Sequence, residues 1–261
     1  MYEHHEESIA NITAKLKGQS GVLAVLVCGS IAHRFETAES DIDIMIVVSD
    51  ADYEAKASSA GLHYYDKESC TCETGYIDGK YTSLAQMERV AEEGSEPARY
   101  AFEGAWAPYS EIADLTALLQ RIVMYPSARK NSNMSRFYAQ LEAWKWYCGE
   151  AIKQQNAYLL NHSISNLILF SGRLILAHNE VLYPYHKWFL RVLSSVPQKP
   201  DGLIASINAL LQSPTAECVS ALYKTIVDFR QWTDSDEGWP NVFIRDSELN
   251  WMTGNVPVGD I

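Results

Sequence analysis

Basic side chains are in short supply: 21 Lys and Arg stand against 33 Asp and Glu in 261 residues, a formal charge of −12. Broad binding to nucleic acid or to an anionic membrane needs the opposite excess, so neither an extended nucleic acid nor a membrane is expected as a partner. Cysteine is sparse too. Cys28, Cys70, Cys72, Cys148 and Cys218 are odd in number and scattered, which suits the reduced thiols of a cytoplasmic protein better than a disulfide framework. Unbroken apolar runs such as 22–28 fall far short of the ~20 residues a membrane span needs. The first eight residues have neither a positive n-region nor an apolar h-region, so no secretory signal is expected there. The sequence has no Gly-x-x-x-x-Gly-Lys-Ser/Thr loop, dinucleotide fingerprint, internal repeat or low-complexity tract. Core material is plentiful: 47% of residues are hydrophobic and 21% charged, the ordinary globular range, enough for one large domain or two modest ones.

Strand-like and helix-like patterns separate along the chain. Residues 6–17 read as an amphipathic helix stopped by Gly18, and 21–28 as a continuous, β-branched buried strand. After a polar stretch, Asp41-Ile-Asp-Ile-Met-Ile-Val-Val48 reads as a second strand that begins by alternating acid with apolar and ends wholly apolar. A polar helix is expected over 52–59, a third strand over 74–81 and a helix over 84–93 that ends at Gly94. Residues 104–109 form a candidate edge strand, because Pro108 cannot donate to a ladder on both sides. The later pattern is helical, with helices expected over 134–158, 163–178, 186–196, 203–211 and 216–232, and an extended tail over 250–261. The expected fold class is therefore α+β, an N-terminal mixed-sheet domain over 1–125 followed by an all-α helical bundle over 126–261.

The chemistry concentrates in one segment. A hydrophobic strand ends at Cys28-Gly29-Ser30, where a missing side chain lets backbone amides approach an anionic ligand and Ser30 adds a hydroxyl. Ten residues later a second strand opens with Asp41 and Asp43, which pleating places on one face with Cα atoms ~7 Å apart. Like charges at that spacing repel by about 2 kcal/mol at an effective dielectric of 20. A divalent cation relieves the repulsion, and carboxylates with phosphate oxygens suit Mg²⁺ rather than zinc. A phosphate-binding bend beside metal-binding acids is the apparatus of phosphoryl or nucleotidyl transfer. The bland alternative is an ordinary turn followed by solvated acids.

Cys28-Gly29-Ser30 and Asp41-Ile42-Asp43-Ile44, so spaced, resemble the signature of the nucleotidyltransferase superfamily that includes DNA polymerase β and the aminoglycoside nucleotidyltransferases. The helical second half is similar to that of the kanamycin-type enzymes. The resemblance implies Mg-dependent transfer of a nucleoside monophosphate from an NTP, with ATP first in line, to a small-molecule hydroxyl, releasing pyrophosphate. It implies an aminoglycoside or lincosamide acceptor, hence antibiotic resistance; a protein hydroxyl is the other acceptor considered. Gly29 and Ser30 would hold the β- and γ-phosphates. Asp41 and Asp43 would ligate two Mg²⁺ ions, and a third carboxylate would complete one metal site and help deprotonate the acceptor. Asp78, in Tyr76-Ile-Asp-Gly-Lys80, is the candidate for that role, against the alternative of an Asp-Gly hairpin turn. Glu73, Asp66 and Glu103 are weaker candidates.

In the second half, Lys187 of Leu182-Tyr-Pro-Tyr-His-Lys-Trp188 is the candidate nucleotide-binding cation, with Tyr185 or His186 contacting base or acceptor. The alternative has Pro184 as the first helical residue, the aromatics packing and Lys187 solvated. Arg173 and Lys145 lie on helices whose opposite faces are apolar and are read as salt-bridging surface cations, with reach to a phosphate as the alternative. Arg173-Leu-Ile-Leu-Ala-His178 also resembles the Arg-x4-His motif of HEPN-type ribonucleases, a rival that needs both side chains in an open cleft. A further rival is a non-catalytic nucleotide-binding or toxin-neutralising protein, favoured if no third acid lies near Asp41 and Asp43. Cys70, Cys72 and His63 lack the spacing and fourth ligand of a zinc site. His4 and His5 read as a solvated terminus, and Trp144 and Tyr147 as core. Acceptor, nucleotide preference and oligomeric state carry no sequence signature.

Overall fold

A computed structural model of the chain describes residues 1–72 and 75–261. Glu73, named above as a weaker third carboxylate, and Thr74, the expected start of a strand, lie outside the described residues. The chain divides into two compact units, Met1–Met124 and Tyr125–Ile261.

The first unit runs α1 (Glu3–Lys17), β1 (Val22–Val27), α2 (Gly29–Ala32), β2 (Ile42–Val48), α3 (Asp50–Ser58), β3 (His63–Asp66), β4 (Ile77–Ser83), α4 (Leu84–Glu93), α5 (Glu96–Tyr100), β5 (Trp106–Ser110) and α6 (Leu115–Ile122). Among the described residues the strands form one five-stranded mixed sheet in the order β3-β4-β2-β1-β5. Only the β2–β4 pair is parallel; the other neighbours are antiparallel. Pro108 lies in the edge strand β5, where a missing donor costs no ladder bond.

Strand periodicity gives the sheet two apolar faces. Ile9, Ile12 and Leu16 of α1 pack on Val25, Val27, Ile42, Ile44, Ile46 and Ile77. Met87 of α4 and Leu115, Leu118, Leu119 and Ile122 of α6 pack on Ala24, Leu26, Cys28, Met45 and Val47. A strand covered on both sides must be apolar at every position, which is why β1 and the later part of β2 show no alternation. Ser83 caps α4 by accepting from the Gln86 amide, and Gly94 ends that helix where expected.

Several expectations for this unit are corrected. Asp41 lies just before β2 rather than within it. Gly29-Ser30 opens a short helix, α2, rather than a simple turn. β3 had no counterpart in the sequence reading because four polar and aromatic residues carry no period. His5 is not solvated: it is buried, and its ring meets the Ser40 carbonyl at 3.1 Å. Asp66 pairs in register with Ile77, so it points to the α1 face, where it bonds the Lys15 ammonium and the Ser69 amide.

The second unit contains α7 (Lys130–Lys153), α8 (Ala157–His178), α9 (Tyr185–Ser195), α10 (Leu203–Gln212), α11 (Ala216–Val227) and α12 (Trp239–Phe243). The single helix expected over 134–158 is broken at 154–156, where Gln155 takes φ +54° and the Asn156 side chain accepts from the Leu159 amide to start α8. The polar run 153–156 separates the two helices, and Asn156 serves as the cap that restarts the chain in α8. The C-terminal segment is not wholly extended, since Asn250–Met252 forms a 3₁₀ turn. By length and composition α8 could cross a membrane, yet 61% of its apolar window is buried within the fold.

Arg173 on α8 corrects another expectation. It is fully buried, its guanidinium lies over the Phe137 and Tyr183 rings, and it donates to the Ile261 carbonyl. The His178 ring meets Arg230 at 2.8 Å and Gln198 at 2.9 Å. An arginine enclosed this way cannot line an open cleft, which removes the HEPN-type reading. Lys145 lies over the Tyr223 ring at 5.2 Å, while Trp144 and Tyr147 pack with Phe243.

Two measurements check this packing. A Cβ built on Gly172 would sit 2.1 Å from the Phe189 ring, so α8 and α9 meet at a position that tolerates no side chain. Gly172→Ala is expected to lower stability by about 1–3 kcal/mol in urea unfolding, despite alanine's better helix propensity. Burial raises the Asp66 pKa, but hydrogen bonds from Lys15, Ser69 and Tyr64 outweigh it and hold the carboxyl below its ordinary value. A folded-state pKa below the unfolded one contributes stability above the unfolded value, and this is lost as pH falls through the folded one. Asp66→Asn should therefore destabilise the protein at pH 7 and flatten its stability profile below about pH 4.

Candidate active site

The candidate residues of the first unit meet at one end of β2. β1 and β2 are antiparallel, and the Cys28 amide donates to the Asp43 carbonyl at 2.8 Å. The chain must then turn sharply away from the sheet, and Gly29 does so with φ +60°, a region glycine enters at little cost. An added Cβ on Gly29 would fall 1.8 Å from the Asp43 Oδ2 and 2.4 Å from its Cγ. The Asp43 carboxylate therefore rests directly against the Gly29 backbone. Beside it Ser30 is 5% exposed, and its Oγ has no hydrogen-bond partner among the described residues. A buried hydroxyl without a partner costs about 1–3 kcal/mol.

On the other side of β2, Asp78 stands in parallel register with Asp43. Register partners on neighbouring strands have Cα atoms about 5 Å apart and side chains on the same face. Asp78 lies inside β4, so the Asp-Gly hairpin alternative does not apply. Asp41 joins the same face two residues before Asp43, and its carboxylate accepts a hydrogen bond from the Tyr76 hydroxyl. The charge of Asp41 and that hydrogen bond hold the Tyr76 phenol above its ordinary pKa, with smaller contributions from Asp78 and Asp43. Carboxylates on one face of neighbouring strands repel one another. Both acids keep solvent access, and the Asp78 side chain is 43% exposed.

Lys80, which strand alternation puts on the face of Asp78, and two residues of β3 that the sequence did not tie to the acids complete this face. His63 and Tyr65 of β3 pair with Lys80 and Asp78, and the His63 Nε2 lies 2.6 Å from the Asp78 Oδ1. Lys80 is exposed on the same face as Asp78. Burial pushes the adjacent Cys28 thiol up to about 12, with Lys80 lowering it and Asp43 raising it, so both charges lie within electrostatic reach of Cys28. Tyr65 and Tyr76 stack with centroids 5.6 Å apart and planes at 28°. Only knowledge of β3 and its register would have linked His63 and Tyr65 to the acids.

The other candidates sit on other elements. Asp66 is on the opposite face of the sheet, paired with Lys15. Glu103 is in the turn after α5, where the neighbouring Gly104 packs against the Ala32 carbonyl. Lys187 belongs to the second unit, in the first turn of α9, exposed and over the Trp188 ring at 5.1 Å. Pro184 is the cap of α9 rather than its first residue, and the His186 ring meets the Tyr183 hydroxyl at 3.0 Å.

The donor set suits a hard cation, since Asp41, Asp43 and Asp78 offer carboxylate oxygens on one face. Among the described residues no three His, Cys, Asp or Glu side chains are already gathered closely enough to hold a metal ion. Asp41 is engaged by Tyr76 and Asp78 by His63, so binding a cation there exchanges those hydrogen bonds for coordination.

Gly29 is the most sensitive position. Gly29→Ala puts a methyl group where the Asp43 carboxylate lies and imposes a left-handed φ on alanine. It is expected to cost about 1–3 kcal/mol in thermal or urea unfolding and to displace Asp43, abolishing any Mg·ATP affinity measured by calorimetry.

No protein-family model matches this chain, and no curated protein matches it. Among solved structures it is similar to a nucleotidyltransferase-like protein from Exiguobacterium sibiricum 255-15, at 10% sequence identity and a TM-score of 0.47. That likeness covers 96% of this chain and 87% of the other.

Proposed function

We propose that this chain is a nucleotidyltransferase that moves a nucleoside monophosphate, AMP from ATP in the first instance, onto the hydroxyl of a small molecule. The observation that carries this reading is the Asp43 carboxylate lodged against Gly29 and in register with Asp78. A structural role alone gives no reason to place two uncovered acids side by side in the middle of a sheet beside a buried, unsatisfied hydroxyl.

In this reading Gly29 and Ser30 hold the β- and γ-phosphates, the glycine by allowing close approach and the serine through its Oγ. Asp41 and Asp43 hold Mg²⁺, two ions with Asp78 as the further ligand. The chemistry Mg²⁺ supplies when bound is neutralisation of charge on the transferring phosphate and the leaving pyrophosphate. The acceptor oxygen forms the new bond to the α-phosphorus, and the bond from that phosphorus to the bridging oxygen breaks. Pyrophosphate leaves with the bond's electrons, and the acceptor proton passes to the Asp78 carboxylate. Lys80, exposed on the acids' face, would offset part of their charge and meet a phosphate oxygen. Lys187 is in the second unit, and the reading does not depend on it. Aminoglycosides and lincosamides are the acceptors proposed for testing, because ammonium groups suit a face bearing three carboxylates.

A second reading is favoured by the engagement of Asp78 with His63 and, among the described residues, the lack of a ready three-ligand cluster. It holds that the protein binds nucleotide without turning it over. One experiment separates the two: the full chain is incubated with Mg·ATP and kanamycin or lincomycin, and pyrophosphate release is followed beside calorimetric Mg·ATP binding. Transfer predicts release that falls at least about 100-fold in Asp43→Asn. The same substitution should leave the melting temperature unchanged or slightly raised, because it removes one of two repelling charges. Full activity in Asp43→Asn overturns the assignment. Binding without release selects the second reading.

A further inference from the structure

We propose that Tyr65 and Tyr76 form the acceptor platform of this site, taking a ring-shaped alcohol face-on. The inference rests on the transfer reaction proposed above and adds where the acceptor enters and what shape it has.

The argument starts from the direction of attack. In an in-line displacement the entering oxygen approaches the phosphorus from the side opposite the leaving oxygen. Pyrophosphate held at Gly29 and Ser30 lies at the β1 side of Asp43. The sheet continues on the other side of β2 through β4 to β3, so the acceptor arrives over those strands. At about 4.8 Å per strand, β3 lies about 10 Å from β2, a span that fits one ring between the phosphorus and the sheet edge.

Two tyrosines wait on that side. Tyr65 is the register partner of Asp78, and Tyr76 lies two residues before Asp78, so the two are diagonal neighbours on one face. Tyr65 is 57% exposed and Tyr76 39%, and they present apolar ring surface to solvent beside three carboxylates. The Tyr76 hydroxyl is fixed by Asp41, so this ring is positioned from the same acid that the reaction would use. The matching ligand has a flat apolar face to cover the ring and a rim of hydroxyls to reach Asp78. Ammonium substituents add attraction to Asp41, Asp43 and Asp78. Because Tyr65 projects from an edge strand, its replacement leaves the core packing of the sheet intact.

The test compares wild type, Tyr65→Ala and Tyr65→Phe, each checked by circular dichroism. Pyrophosphate release is followed with ring alcohols (kanamycin, lincomycin, 4-hydroxyphenethylamine) and open-chain ones (glycerol, ethanolamine), and Mg·ATP affinity is measured by calorimetry. The expected result is turnover of ring alcohols, an acceptor KM raised about tenfold in Tyr65→Ala and restored in Tyr65→Phe, and unchanged Mg·ATP affinity. If Tyr65→Ala instead weakens Mg·ATP about tenfold with acceptor KM unmoved, the nucleobase occupies the platform and the inference is wrong. Equal turnover of open-chain and ring alcohols also overturns it, with the reaction left standing. If the wild type releases no pyrophosphate with any alcohol, the transfer reading falls and this inference falls with it.

Discussion

The site depends on one close contact, the Asp43 carboxylate against a backbone that has no Cβ. Asp43 occupies the volume where any other residue at position 29 would carry a side chain. That contact fixes how β1 ends, because the chain must leave the sheet at Gly29 with a positive φ to clear the carboxylate. It also sets where α2 begins, and hence why Ser30 is carried into a buried position with its hydroxyl unsatisfied. Glycine, acid and serine are thus one packed arrangement, in which a change at one member moves the others.

The sheet turns this local contact into a site. Period-two alternation sends Ile42 and Ile44 to the α1 face and Asp43 to the face shared with Met45 and Val47. The α4 and α6 helices cover Met45 and Val47, while Asp43 keeps solvent access. Parallel pairing with β4 then sets Asp78 beside Asp43 in the same orientation. Asp66 shows what an aspartate in this fold looks like when its role is structural. It faces α1, is buried, and is neutralised by Lys15 with further hydrogen bonds from Ser69 and Tyr64. Asp41, Asp43 and Asp78 lie together on the open face, where Asp78 meets His63 and the acids keep solvent access instead of being enclosed like Asp66.

Legibility in the sequence followed the strength of the local signal. The buried strands β1 and β2 showed as apolar runs, α4 as a stripe between a Ser cap and a Gly stop, and β5 as an edge marked by proline. Where local signal was weak or misleading, the reading slipped. The four residues of β3 are too few for a period, and the break between α7 and α8 is carried by one short polar run, 153–156, with an Asn cap. Arg173 reads as a surface cation on charge alone, yet two aromatic faces and a carbonyl make an interior place for it.

The sequence by itself determined that an α+β half precedes a helical half, and that Gly29, Ser30, Asp41 and Asp43 belong to one constellation. Those features follow from periodicity and from residues a few positions apart, which the chain expresses locally. Strand alternation also put Tyr76 and Lys80 on the face of Asp78, whereas only the tertiary structure decided that Asp78 stands beside Asp43, that Asp66 does not, and that His63 and Tyr65 share the acids' face. The reason is register: a slip of one residue between β2, β4 and β3 would send every one of these side chains to the opposite face. Register is set by the packing of both faces of the sheet together, which no single segment encodes.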